Sequence, residues 1–474
     1  MVTVLAYDLG ASNGRLTAQI FDGTQLHVEE IHRFSNEPLA HGAHFYWDYE
    51  KLVGELHRGL ELAVPYKAAA LGIDTWGVDF GLLGQNGKLL QNPFSYRDTH
   101  SAPFVERVQA LIHHYDLYRR TGNEISSINT LFQLMAIAEQ SELLHDTTSI
   151  LMMPNLLAYT LSGEVVNELT ICSTTQLLSL ETKNWDTELI SKLFSKPLPL
   201  ADIGVTHQLI GKLQRYPEIS MALVPGHDTA CALSALPIEE AHSIFISLGT
   251  WGLIGTELDE PVISSKAFQR GFTNEATSER TIRFQKNATG FWILQRLRKE
   301  WQDVLTFEEE RRAYQQAPAF QAIINPEDEL FFNPTSMKQA IRQFCEQTNQ
   351  QAPSTKGELI RCFSESVALY YAVVIEEMEQ LTGDKSETVY IGGGGTQNEL
   401  LCQLIANAAA KRVVAGPVEA SSIGNGLSQL RALGEIHSIT EGRALVKASF
   451  TMKEYEPQQI TFWQTMKGKY KQLF

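Results

Sequence analysis

The chain has 474 residues, 43% of them hydrophobic and 20% charged, with a formal net charge of −16. That balance is globular, and the length predicts two or three domains. The acidity excludes a general attraction for nucleic acid or anionic membrane, so any polyphosphate must be held by local donors, helix N-termini or a metal ion. No run of ~18 apolar residues marks a membrane span, and the opening residues lack a basic segment, an apolar core and a cleavage site. A cytoplasmic protein is therefore expected. Cys172, Cys231, Cys345, Cys362 and Cys402 show neither C-x-x-C nor zinc spacing. Reduced, buried thiols are expected, with a Cys345–Cys362 pair as the alternative.

In chain order, Val2 to Tyr7 reads as a strand that runs into Asp8-Leu9-Gly10-Ala11-Ser12-Asn13-Gly14-Arg15, followed at once by a second apolar run, Leu16 to Phe21. This is a strand, a glycine-containing turn and a strand. Gly72 to Leu83 reads as a further strand pair, with Asn86-Gly87 as its hairpin turn. From Phe104 to Leu161 the periodicity is helical. Met221 to Val224 reads as a buried strand broken by Pro225-Gly226, and Asp228 begins a helix. A second lobe is expected from Ala241. It opens on another hairpin of the first kind, Ser243 to Ser247, then Leu248-Gly249-Thr250-Trp251-Gly252. The clearest helix follows, with apolar residues from Leu359 to Leu381 at three- and four-residue steps and Gly383 as its cap. Thr388 to Ile391 is a strand, Gly392 to Gly395 a glycine loop, and Thr396-Gln397-Asn398-Glu399 a capping box that opens a helix through Ala410. With Arg412 to Ala415 this makes a βαβ unit whose loop lies at the end of its strand, where open α/β sheets bind ligands.

The two hairpin turns are rich in Gly, Ser and Thr and can offer backbone N–H groups and hydroxyls to an anion. Asp8 supplies one carboxylate at a strand end, which suits magnesium held through water and shared with phosphates. Asp228 sits at a helix start, where Asp is also an ordinary cap. There the helix dipole is expected to keep it ionised and able to accept a hydroxyl proton. The Gly392 to Gly395 run is not a Walker A loop. Strand alternation places Trp76 on the face of Asp74, with Gly77 and Asp79 on the other. Carboxylates there suit sugar hydroxyls.

Together these segments resemble the FGGY group of sugar kinases, within the actin-like ATPase superfamily. The points of match are Asp8 to Arg15, Gly72 to Phe80, Tyr96-Arg97-Asp98, His227-Asp228-Thr229, Gly249-Thr250-Trp251, Lys286-Asn287, Trp292 to Gln295, Gly393 to Asn398 and Gly416 to Ala420. They cover nearly the whole chain. The resemblance implies a two-lobed α/β, ribonuclease H-like fold with a mixed, helix-flanked sheet in each lobe and a closing catalytic cleft between them. It implies a sugar-binding domain over 1–240 and a nucleotide-binding domain over 241–474. It further implies transfer of the γ-phosphoryl group of ATP to the O1 hydroxyl of a ketose, with L-rhamnulose first and L-fuculose or L-xylulose as alternatives. A non-enzymatic nucleotide-binding switch is the rival from another class. Carried over by matching position, Asp228 is the proton acceptor. Ala11, Ser12, Asn13, Gly14, Arg15 and Thr250 contact the ATP phosphates, and Gln295, Gly393 and Gly394 make the other nucleotide contacts. Gly77, Asp79, His227, Asp228, Thr229 and Asn287 form the sugar site, and Asp8 organises Mg2+. The partners implied are a small sugar and ATP, with no nucleic acid or membrane, for a monomer or small homo-oligomer. One departure is His100, where related kinases often carry Arg. If it touches the substrate, sugar preference shifts.

Overall fold

The computed structural model describes residues 1–140, 142–301 and 305–473. The chain packs into two units. The first takes Met1–Pro237, Glu257–Phe284 and Ala420–Ser449, and the second Ile238–Thr256, Gln285–Glu419 and Phe450–Phe474. Among the described residues no helix is long and apolar enough to cross a membrane.

The first unit opens on β1 (Val2–Leu9) and β2 (Asn13–Phe21), an antiparallel hairpin, with β3 (Leu26–Ser35) beside β2. Helix α1 (Tyr49–Ala63) is capped by Asp48 and buries Leu52, Leu56, Gly59, Leu60 and Ala63, the three-to-four-residue stripe of an amphipathic helix. It docks on the sheet where Tyr7 Oη donates to Leu56 O at 2.6 Å. β4 (Ala70–Thr75) lies parallel to β1, which places Asp8 directly beside Asp74. β4 does not pair with β5 (Phe80–Gly84), as local pattern predicts. The link between them passes through Val78 at φ 67, and β5 pairs instead with β6 (Thr147–Met152). The Asn86-Gly87 turn does form, but it returns β5 only to a single bridge between Leu83 and Leu89. β6 also interrupts the stretch read as uniformly helical, after α2 (Thr130–Gln140). β7 (Gln208–Lys212) and β8 (Ser220–Leu223) complete a six-stranded sheet in the order β7-β8-β4-β1-β2-β3. Pro225-Gly226 then leads into α3 (Asp228–Ala235).

The second unit repeats the opening device with β9 (Ile244–Leu248) and β10 (Trp251–Leu258). The chain re-enters the first unit for β11 (Phe272–Ala276) and leaves it within β12 (Ile282–Thr289). Helix α4 (Trp292–Glu300) follows, and then α5 (Lys356–Thr382), 27 residues long. A Thr355/Glu358 capping box starts α5 and Gly383 at φ 83 stops it, a left-handed position that glycine fills without strain. β13 (Thr388–Gly392), α6 (Glu399–Ala409) and β14 (Arg412–Ala415) form the expected βαβ unit, with β13 parallel to both β9 and β14. The cap of α6 is Asn398, whose side chain accepts from Leu401 N at 3.0 Å, and not Thr396, whose hydroxyl closes the preceding 3-10 turn onto Gly393 O. Helix α7 (Ala420–Ala432) belongs to the first unit, where it packs on α3 and β1. β15 (Lys453–Tyr455) ends the second unit's sheet beside β14. All five cysteines are buried and free.

Candidate active site

β1, β4 and β8 run parallel in the first unit; Asp8 lies in the last residues of β1, and the turns that follow β4 and β8 carry the Trp76-Gly77 link and His227-Asp228-Thr229. This is where open α/β sheets hold ligands. Thr75 N donates to Gly226 O at 2.9 Å and so ties the α3 entry to the end of β4. The same turn is anchored by Glu168, which no local motif marks. Its buried carboxylate accepts from Gly226 N at 2.8 Å, Thr170 Oγ1 at 2.6 Å and Thr206 Oγ1 at 2.6 Å.

His227, not Asp228, occupies the cap position of α3, and its side chain makes no capping bond. Asp228 is the first helical residue, with its side chain 31% exposed. Its Oδ1 accepts from Thr229 Oγ1 at 3.2 Å and lies 3.4 Å from His227 Nε2. Its place at a helix start predicts an ionised carboxyl. Instead loss of hydration raises it above its ordinary value; His227 opposes the rise and Asp8 adds to it. Asp74 is pushed well above the usual carboxylate range, first by burial and then by Asp8, although Asn425 Nδ2 donates to it at 2.7 Å. Its Oδ1 is buried without a partner. Asp8, Asp74 and Asp228 are thus a set of mutually repelling carboxylates.

The hairpin tip is set by Gly10 N donating to Asn13 O at 2.8 Å and Asn36 Nδ2 to Gly10 O at 2.9 Å. Ser12 and Asn13 are exposed. Gly14 is required by packing, because a Cβ there would lie 2.4 Å from the Phe34 ring. Arg15 pairs with Asp8, its Nη2 2.6 Å from Oδ2, so it neutralises a carboxylate of its own hairpin. Arg97, absent from the expected set, reaches the same loop by donating to Ala11 O at 3.1 Å.

Asp79 is fully buried, and alternation misplaces it. Its Oδ2 accepts from Trp47 Nε1 at 2.6 Å, Trp76 Nε1 at 2.9 Å and Tyr96 N at 3.0 Å, and its Oδ1 from Gln133 Nε2 at 2.9 Å. Trp76 and Asp79 therefore meet, because the strand ends at Thr75 and the chain turns at Val78. Burial pushes Asp79 up to about 6 against those four donors. With both oxygens engaged and no solvent access, Asp79 is a hub that fixes the indoles. His100 is also buried; its Nδ1 lies 2.8 Å from Asp98 Oδ1 and its ring stacks on Phe94 at 4.1 Å. Gly77 sits against Thr174, whose Oγ1 accepts from Val78 N at 3.0 Å.

In the second unit three of the expected nucleotide residues, Thr250, Gln295 and Gly393, meet at the β9–β10 turn. Gln295 Nε2 donates to Thr250 Oγ1 at 3.2 Å, and Trp292 N to Thr250 O at 3.1 Å. Gly393, at φ 88, approaches Leu248 so closely that an added Cβ would lie 3.1 Å from its carbonyl oxygen, whereas Gly394 faces open space. Asn287 is exposed on β12. Among the described residues no group of three or more His, Cys, Asp or Glu is arranged to hold a metal ion.

Residues 3–226 match the N-terminal domain of the FGGY family of carbohydrate kinases, and residues 244–433 its C-terminal domain. The chain is 38% identical over 468 residues to a protein of Bacteroides thetaiotaomicron named rhamnulokinase, covering 97% of this chain and 96% of that one. It is 37% identical over 467 residues to a Bacillus subtilis protein of the same name, covering 96% and 95%. Among solved structures, the fold matches a ligand-bound xylulose kinase from Lactobacillus acidophilus with a TM-score of 0.82 at 16% identity, covering 100% of this chain and 98% of the other. A gluconate kinase from the same organism matches with a TM-score of 0.80 at 17% identity, covering 99% and 97%. Matched in both halves and along nearly its full length, the chain belongs to the FGGY family of carbohydrate kinases.

Proposed function

We propose that this protein transfers the γ-phosphoryl group of ATP to the O1 hydroxyl of L-rhamnulose, giving L-rhamnulose 1-phosphate and ADP. The chemistry rests on Asp228, a partly exposed carboxylate at a strand-to-helix turn with one oxygen held by its neighbour Thr229. A carboxylate so placed accepts the hydroxyl proton as that oxygen attacks phosphorus. The choice of sugar is supported by the name shared by near-full-length relatives at 36–39% identity.

In this reading Ala11, Ser12, Asn13, Gly14, Arg15 and Thr250 meet the ATP phosphates, while Gln295, Gly393 and Gly394 meet the rest of the nucleotide. Gly77, His227, Thr229 and Asn287 line the sugar site, and Asp79 serves it by fixing Trp76. Residues 1–240 are assigned as the sugar-binding domain, which also supplies the Ala11–Arg15 phosphate contacts, and residues 241–474 as the nucleotide-binding domain, which also supplies Asn287, in a cytoplasmic monomer or small homo-oligomer. A divalent cation fits the first unit, where Asp8 and Asp74 are register neighbours and Asp74 Oδ1 lacks a partner. We assign Mg2+ to Asp8, through water. When bound, it neutralises charge on the phosphates.

The test is ADP release from Mg-ATP with L-rhamnulose, L-fuculose, L-xylulose, D-xylulose, glycerol or no sugar. A strong preference for L-rhamnulose is expected. Preference for another ketose refutes the substrate, and equal release with and without every sugar refutes the kinase reading.

A further inference from the structure

Arg283 lies on β12 within the first unit and is fully buried. Its Nη2 is 2.7 Å from His227 Nδ1 and is also paired with Glu275 Oε2, from β11. Glu275 Oε2 is itself 3.3 Å from His227 Nδ1. On the far side of the imidazole, Nε2 lies 3.4 Å from Asp228 Oδ1. Glu275, Arg283, His227 and Asp228 therefore form one line that ends at the candidate base. Arg283 Nε and Nη1 are buried without a partner. A buried guanidinium with part of its fork unsatisfied is costly, and removing it alone would leave the Glu275 carboxylate buried without its counter-charge. Arg283 therefore serves the charged and polar groups around it, Glu275 and His227.

The chemistry of the donors decides where the ring proton lies. A guanidinium only donates, and Nη2 carries two hydrogens, one for Glu275 and one for His227. A proton on His227 Nδ1 faces that second hydrogen across 2.7 Å, so Nδ1 accepts. The proton of the neutral ring then sits on Nε2, the nitrogen that faces Asp228. In the other tautomer a lone pair on Nε2 opposes a carboxylate oxygen, and the two repel.

We infer that Arg283, held by Glu275, is a positioning residue for phosphoryl transfer: it locks His227 as the Nε2–H tautomer and so directs an N–H at the Asp228 carboxylate. With Thr229 Oγ1 donating to the same Oδ1, this keeps the carboxylate in one orientation. The inference rests on the reading of Asp228 as proton acceptor.

The test begins with the full chain labelled with 15N-histidine, recorded over a rising pH series until the His227 ring signals no longer change. The His227 signals are assigned by their loss in His227→Gln. The wild type is expected to carry its proton on Nε2; a proton on Nδ1 overturns the inference, and this result stands whether or not any variant folds. Arg283→Met is expected to move the proton to Nδ1, facing Glu275, and to lower kcat about 10-fold or more while the sugar KM changes less. Arg283→Lys, which keeps a cationic donor, should recover the tautomer and most of kcat. An Arg283→Met enzyme with the wild-type tautomer and kcat overturns the inference. Asp228→Asn separates the two levels. If it is inactive while the Arg283 variants are unaffected, only the positioning role falls. If it turns over normally, the proton-acceptor reading falls and the positioning role with it.

Discussion

Gly424→Ala tests how the first unit places its candidate base. Gly424 is buried on α7, against α3. A Cβ there would lie 1.8 Å from the Cys231 carbonyl oxygen and 2.5 Å from its carbonyl carbon, both backbone atoms that no rotamer change can move. Real Cβ contacts essentially never fall below 3.0 Å, so the two helices must part by at least about 1.2 Å. The same movement draws Asn425 Nδ2 from Asp74 Oδ2 and Gln429 Nε2 from Leu5 O, each now at 2.7 Å. Overpacking costs about 1–3 kcal/mol, and each buried group left unpaired about 1–3 kcal/mol. A total of about 4 kcal/mol lowers Tm by about 6 °C in a unit of this size. Because α3 begins at Asp228, a displacement of about 1 Å also lowers kcat by about 100-fold. Differential scanning calorimetry and ADP release measure the two effects. Gly54→Ala on α1, with nothing within 4 Å of the added Cβ, is the control and should be neutral or slightly stabilising. Wild-type Tm and kcat in Gly424→Ala would refute the reasoning.

Asp228→Asn should bind ATP and sugar but lose about 10²-fold or more in turnover, as removal of a general base requires. Single-turnover kinetics checks this, and near-normal turnover excludes the role. Asn287→Ala should raise the sugar KM with little change in the ATP KM, and an unchanged sugar KM removes that contact. Glu275 gives a pH prediction. Burial favours its neutral form, but the Arg283 guanidinium outweighs that and holds the carboxyl down to about 2 against an ordinary 4.5. A depressed carboxyl stabilises the fold fully above pH 4.5, and that contribution is lost as pH falls toward 2. Urea titrations at pH ~6 and ~3.5 should therefore show the wild type losing about 1.4 kcal/mol more than Glu275→Gln, and equal losses would refute the assignment.

The amino-acid order alone determined the local devices. Both hairpins, the 27-residue α5 with its Gly383 stop, and the helix start at Asp228 are legible because each depends on residues within one or two turns of each other. The family pattern was legible for the same reason, since its motifs are short and contiguous. Tertiary structure alone decided what the side chains between those motifs do. Asp79 reads as a sugar ligand, yet its donors come from residues 47, 76, 96 and 133, and together they close it off from solvent. Asp228 reads as an anion held by a helix dipole, yet lost hydration and a neighbouring Asp8, 220 residues earlier in the chain, set its direction of shift. Glu168 and Arg283 carry no local signature, because an isolated Glu or Arg in sequence is most often a solvated surface residue. The site residues they hold, Gly226 and His227, are 58 and 56 residues distant. Periodicity and capping report the energy of near neighbours, whereas hydration and charge coupling depend on which distant segments the fold brings together.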